Sequence, residues 1–249
     1  MSARVLNVVL THQSCRQVKG LLQWWSEYVD LSDLLIVHTG LETEFLQLPH
    51  PLKIHLVDQR LQTRDHQREI QSYSSVFRAI AKALRRGDWR YVNFSEYDQL
   101  PLRGNANAER VQRLDEKTAD ILGYQVRRID GTNHPHWLYY RARVPHDEII
   151  ANISQRGDSS VVLSMFGSGS FWKREAIEDV ASLEEPMPIY LEVWLPTVAH
   201  HLGHRIVGVG ESQERWVSPG CDRSADIEIA RTSGAWSLHP VKSVPATKA

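Results

Sequence analysis

Four short apolar runs in the first hundred residues are separated by segments with helical spacing, and no other feature limits the possible folds as much. The runs are Val5–Leu10, Leu34–His38, Lys53–Val57 and the stretch from Tyr91 to Glu96. Between them, Val18, Leu21, Leu22, Trp25 and Tyr28 recur at the period of a helix, as do Val76, Phe77, Ile80, Ala81 and Leu84 over Ser72–Leu84, with Gly87 as a stop signal. Parallel strands need long crossover connections, and a helix is the usual one. The alternation therefore predicts βαβ units, a largely parallel sheet and helices on both faces.

The second half is less regular. A polar helix is expected over Asn107–Leu122, a loop-rich stretch over Gly123–Tyr140, a strand over Ser160–Phe166 and a glycine loop at Gly167–Ser170. Helices are expected over Lys173–Leu183 and Ile189–Leu202, the latter closed by Gly203, then a strand over Arg205–Val209 and an extended piece at Trp236–Pro240. No linker splits the chain, and 249 residues suffice for one sizeable core, so a single domain is expected. A formal net charge of −1 argues against nucleic acid as a partner. No stretch reaches transmembrane length, and the apolar run near the start is too short for a signal peptide. Cys15 and Cys221 offer neither a disulfide framework nor a zinc motif, which fits a reducing cytoplasm.

The chemistry gathers in a few places. In Tyr91-Val-Asn-Phe-Ser-Glu96-Tyr-Asp98 a β-prone run ends in two carboxylates, at the edge where open α/β sheets bind ligands. Two carboxylates there can grip a divalent cation that in turn holds a diphosphate. Near the C-terminus, Trp236-Ser-Leu-His239-Pro-Val-Lys242 places a histidine and a lysine three apart. Glu192 opens a predicted helix, where the helix dipole favours its anion. The polar run Arg64–Glu69 precedes a helix, and Asn133, His134, His136, Trp137, Tyr139 and Tyr140 form a cluster suited to stacking and hydrogen bonding. Gly167-Ser-Gly-Ser170 matches neither a nucleophile elbow nor a P-loop. His200 and His204 have a zinc-like spacing, but Gly203 is expected to end the helix between them.

Taken in order, these motifs resemble a nucleotide-sugar-dependent glycosyltransferase of the GT-A fold. The resemblance spans most of the chain up to Lys242 and is patchiest from Arg103 to Ser159. It implies an α/β, Rossmann-type, mixed but mostly parallel sheet flanked by helices, with residues 1–102 as a nucleotide-binding half and 103–249 as an acceptor-binding half. It also implies a divalent cation, Mn²⁺ or Mg²⁺, on Asp98 and His239. Thr11, Asp65, Arg68, Glu96 and Lys242 would contact the nucleotide-sugar donor, and Glu192 would be the base that deprotonates a hydroxyl acceptor such as a carbohydrate, with inversion. Two departures stand out: Glu96 occupies a position where relatives carry Asp, and Leu191 precedes Glu192 where many have a second acid. The rival readings are a sugar nucleotidyltransferase and a non-catalytic nucleotide- or carbohydrate-binding protein. The former usually carries a glycine-rich phosphate loop after the first strand, and Thr11-His-Gln-Ser-Cys-Arg16 has no glycine.

Overall fold

The first strand, β1 (Val5–Thr11), is buried along its length, as is β2 (Leu34–His38), because helices cover both faces of the sheet to which they belong. Side chains alternate between those faces. Leu6, Val8 and Leu10 pack with Leu35 and Val37 beneath the helix Ser72–Leu84, through Val76, Phe77 and Ile80. Val9, Leu34 and Ile36 face the other way, against Val18, Leu21, Leu22 and Trp25 of the helix Cys15–Ser26. That helix begins at a capping box in which Ser14 and Gln17 satisfy each other's backbone N–H groups. The structure, a computed structural model, describes residues 4–58, 61, 72–141, 146–183 and 190–243.

Further strands are β3 (Lys53–His55), β4 (Tyr91–Glu96), β5 (Leu100–Pro101), β6 (Ile121–Gly123), β7 (Arg127–Arg128), β8 (Leu163–Ser164), β9 (Ser170–Lys173), β10 (Ile206–Gly208) and β11 (Ser237–Leu238). Seven of the strands form one sheet in the order β10-β6-β9-β4-β1-β2-β3. Only β9 runs against the rest, pairing antiparallel with β4 and β6. The sheet is thus mixed and mostly parallel, flanked by helices as expected, and strands from both halves of the chain share it. From β1 the chain moves outward through β2 and β3, then returns to place β4 on β1's other side. That reversal makes the gap beyond the carboxyl ends of β1 and β4 a topological switch point, where open sheets bind ligands. Leu10 pairs with Glu96 there. Among the described residues no helix is long and apolar enough to cross a membrane.

Four expectations for the second half need correction. The helix expected to reach Leu122 ends at Lys117, because Thr118 adopts a left-handed conformation (φ 49°) and caps it, which frees Ile121–Gly123 to form β6. Part of the expected loop at 167–170, together with the expected helix start, is the reversed strand β9, whose Phe171 and Trp172 are buried in the sheet. The strand expected over Ser160–Phe166 shrinks to β8, outside the main sheet. Thr197 in the helix Leu191–His201 takes its place in the pairing, since its hydroxyl accepts from the Leu163 N–H at 3.0 Å and donates to the Leu163 carbonyl at 3.1 Å. The loop-rich stretch contains the helix Pro135–Arg141, opened by a proline at a position where no N–H is needed.

Candidate active site

β4 ends at Glu96, and the chain turns through Tyr97 and Asp98 before β5. Tyr97 N–H donates to the Leu10 carbonyl, so the turn stays fastened to β1. β5 pairs with β11, and this ribbon returns the C-terminal residues to the acidic turn. Val241 N–H donates to the Asp98 carbonyl at 2.8 Å. Glu96, Asp98 and His239, distant in sequence, thereby offer ligand atoms that all lie within 4.8 Å of one another.

Each member is held in place. The Tyr73 hydroxyl donates to Glu96 Oε1 at 2.8 Å. His239 Nδ1 lies 2.9 Å from the Ser218 carbonyl, which can only accept, so Nδ1 carries the ring proton and Nε2 is left facing Asp98. Nε2 lies 3.3 Å from Asp98 Oδ1, a buried oxygen with no hydrogen-bond partner among the described residues. A backbone carbonyl behind a ring nitrogen is the usual support of a metal-binding histidine, and an orphaned carboxylate oxygen opposite it is a cation-seeking arrangement. Two carboxylates and one imidazole suit Mn²⁺ or Mg²⁺, so the donor set fits the expected ion. Asp98 Oδ2 is paired with the Lys242 ammonium. Burial pushes the Asp98 pKa up, but contact with His239 and Lys242 outweighs it, and the carboxyl lies below its ordinary value. Lys242, expected at a phosphate, therefore rests on a carboxylate.

Glu192 sits in the first turn of the helix Leu191–His201 and accepts from the Gly167 N–H at 3.2 Å through Oε1. Its Oε2 is 3.8 Å from His136 Nε2. Pro196, four residues on, has no N–H, which leaves the Glu192 carbonyl to accept from Met165 at 2.8 Å. The interior proline thus ties the helix's first turn to the loop beside it. A Cβ on Gly167 would come within 2.3 Å of Leu191 Cδ1 and would push that side chain aside.

The next residue, Ser168, accepts from the Glu96 N–H at 2.9 Å and donates to Gln99 Oε1 at 2.6 Å. Gln99 in turn donates to the Ser237 hydroxyl at 2.8 Å. Adjacent residues of one loop therefore touch the candidate base on one side and the acidic cluster on the other. Sequence reasoning missed Ser168, Gln99 and Tyr73. The glycine loop was visible, but the partners of its serine were not. His136, expected in acceptor recognition, is brought beside Glu192, with its ring edge-on to Tyr190.

Thr11 ends β1 at the same edge, buried, its hydroxyl accepting from the Gln13 N–H at 3.1 Å. It shapes the turn that carries Gln13 into a cavity of about 540 Å³, which is also lined by Arg16, Gln17, Tyr97, Lys242 and Ser243. A cavity of the same size lies at the other end of the strands, beside Arg4, Asn7 and Asp33, away from these carboxylates. Asp65 and Arg68 lie outside the described residues.

No protein-family model matches the sequence, and no curated protein does. Solved structures resemble it in three dimensions. A mannosyltransferase from Pyrobaculum calidifontis, in complex with GDP-Man and Mn²⁺, is 15% identical with a TM-score of 0.46, over 85% of this chain and 56% of its own. A glycosyltransferase involved in glycosylation of the major capsid of PBCV-1 is 10% identical with a TM-score of 0.47, over 96% of this chain and 94% of its own. A CMP:2-keto-3-deoxy-manno-octonic acid synthetase complexed with CTP is 11% identical with a TM-score of 0.44, over 92% and 98%. This chain thus spans little more than half the length of the first of these. None of the three likenesses carries any part of the functional reading.

Proposed function

We propose that this protein is a glycosyltransferase that moves a sugar from a nucleoside-diphosphate donor to a hydroxyl acceptor, with inversion and with the aid of Mn²⁺ or Mg²⁺. The observation that carries the reading is the meeting of Glu96, Asp98 and His239 at the switch point of a mostly parallel sheet, one loop away from Glu192. A bound divalent cation would neutralise charge developing on the departing diphosphate. Residues 1–102 would hold the nucleotide and 103–249 the acceptor. Thr11, Gln13 and Tyr97 would frame the donor's side of the edge, with Glu96 and Lys242 beside its phosphates.

Glu192 would take the proton from the acceptor hydroxyl. The Gly167 N–H holds Oε1, and the acceptor hydroxyl would approach Oε2, on the His136 side. Glycosyl transfer passes through an oxocarbenium-like state, and inversion requires base and leaving group on opposite faces of the sugar. The Gly167–Ser168 dipeptide, bonded to the Glu192 carboxylate and to the Glu96 backbone, would hold the base at a fixed distance from the acidic cluster. The two free cysteines suit a reducing cytoplasm.

The test is incubation with UDP-, GDP-, CMP- and dTDP-linked sugars, with and without Mn²⁺, scored for release of the nucleotide product. Metal-dependent release of a nucleoside diphosphate from one of them is expected. Tight donor binding without release or transfer, for any acceptor supplied, would make the protein a binder and sink the catalytic reading.

A further inference from the structure

The pairing of Lys242 with Asp98 sets two demands on one carboxylate. Asp98 is buried, and its Oδ2 is taken by the ammonium. Its other oxygen faces His239 Nε2 without a hydrogen bond. A divalent cation held by Glu96, Asp98 and His239 would sit within a few ångströms of that ammonium, where like charges repel with little screening. Both cannot use Asp98 fully. Apart from Asp98, what holds Lys242 among the described residues is its backbone, whose N–H donates to Asp222 Oδ1, and its side chain is half exposed along the wall of the 540 Å³ cavity. That wall holds Arg16, which has no ion pair among the described residues, and no carboxylate. An ammonium released from Asp98 into this cavity would join the Arg16 guanidinium and call for an anion with more than one negative charge.

We propose that Lys242 is a place-holding cation: it occupies Asp98 until a divalent ion displaces it, and it then turns with Arg16 to receive a diphosphate. Ion and diphosphate therefore bind with positive coupling, each raising the affinity for the other by the same factor. The proposal rests on the metal-assisted reading above, and its test separates the two.

The measurement is Mn²⁺ affinity by calorimetry on the unliganded protein, compared among wild type, Lys242→Met and Lys242→Arg, with Asp98→Asn as the metal-site control. Lys242→Met should bind Mn²⁺ alone about tenfold more tightly than wild type, within the range typical of site coupling. Lys242→Arg, which keeps the charge, should stay near wild type. Across a series of fixed free Mn²⁺ concentrations, pyrophosphate affinity should rise with Mn²⁺ in wild type, and that rise should shrink in Lys242→Met and in Arg16→Met. If Lys242→Met binds Mn²⁺ no more tightly than wild type, Lys242 is not a place-holder, even though Asp98→Asn abolishes binding and the metal site stands. If Asp98→Asn binds Mn²⁺ as wild type does, the metal site itself is wrong and the place-holder falls with it. A single cooperative melt in each Lys242 variant, even where the lost contact with Asp98 lowers its midpoint, shows that the protein is folded at the temperature of the titrations.

Discussion

At the scale of residues, two acids have different surroundings. Asp98 is buried beside the Lys242 ammonium and kept ionised, which suits a ligand. Glu192 accepts from the Gly167 backbone N–H on one oxygen and faces His136 with the other, which suits a base. Glu192→Gln keeps shape and removes basicity, so donor affinity should be nearly unchanged while turnover falls by roughly 10²–10⁴, the usual contribution of general base catalysis. Calorimetry and transfer rates measured together check this. Wild-type turnover in the variant would remove Glu192 from the mechanism. Gly169, with φ +83°, carries a structural expectation, since a Cβ there would come within 2.3 Å of the Gln99 amide that bridges Ser168 and Ser237. Gly169→Ala should cost about 1–3 kcal/mol in denaturant unfolding, from overpacking and a strained backbone. Asp98, His239 and Glu192 were legible because acids at strand and helix ends, and a histidine beside a proline, are local signals. Ser168, Gln99 and Tyr73 were not, because their roles come from partners remote in the chain.

At the scale of elements, legibility followed length and burial. β2 reads as an apolar run up to His38 and β1 as one broken only by Asn7 before Thr11, because both their faces are covered, while β4 shows through Val92 and Phe94 alternating with Asn93 and Ser95; the helix Ser72–Leu84 was bounded by its own apolar stripe. β6 and β9 have only three and four residues, too few for a period to show, and exist because neighbours supply their pairing. Thr197 shows the converse, a side chain standing in for a missing strand at Leu163. Thr197→Val, close in shape, leaves the Leu163 N–H and carbonyl without that hydroxyl and should destabilise the protein by about 1–3 kcal/mol, the cost of stranding buried polar groups. Chemical denaturation reads it directly. A change below a few tenths of a kcal/mol would mean that water replaces the hydroxyl and that β8 is not held by this helix.

At the scale of the molecule, one carboxylate joins the far strands of the sheet. Asp120 accepts from the Arg205 N–H at 2.9 Å and from the Lys173 ammonium at 3.0 Å, linking the start of β6 to β9 and β10. Burial raises its pKa, but these two donors prevail and hold it below the ordinary value. A depressed folded pKa means stability that is present above the unfolded value, about 3.9, and lost as pH falls through the folded one. Asp120→Asn should therefore melt below wild type at pH 7, with the gap closing as the pH is lowered past 4. A gap independent of pH would show that the carboxylate's charge contributes nothing there.

The proposed chemistry needs a cation held by the acidic cluster together with a nucleotide sugar. Thermal melting of wild type and Asp98→Ala, with each nucleotide sugar and with and without Mn²⁺, tests it most directly. A ligand that binds only the folded state adds about 2.7 kcal/mol at a hundredfold excess over Kd. The expected result is a donor-dependent rise in wild type that requires Mn²⁺ and disappears in Asp98→Ala. A full Mn²⁺-dependent rise in Asp98→Ala, or no rise in wild type with any nucleotide sugar, would contradict it.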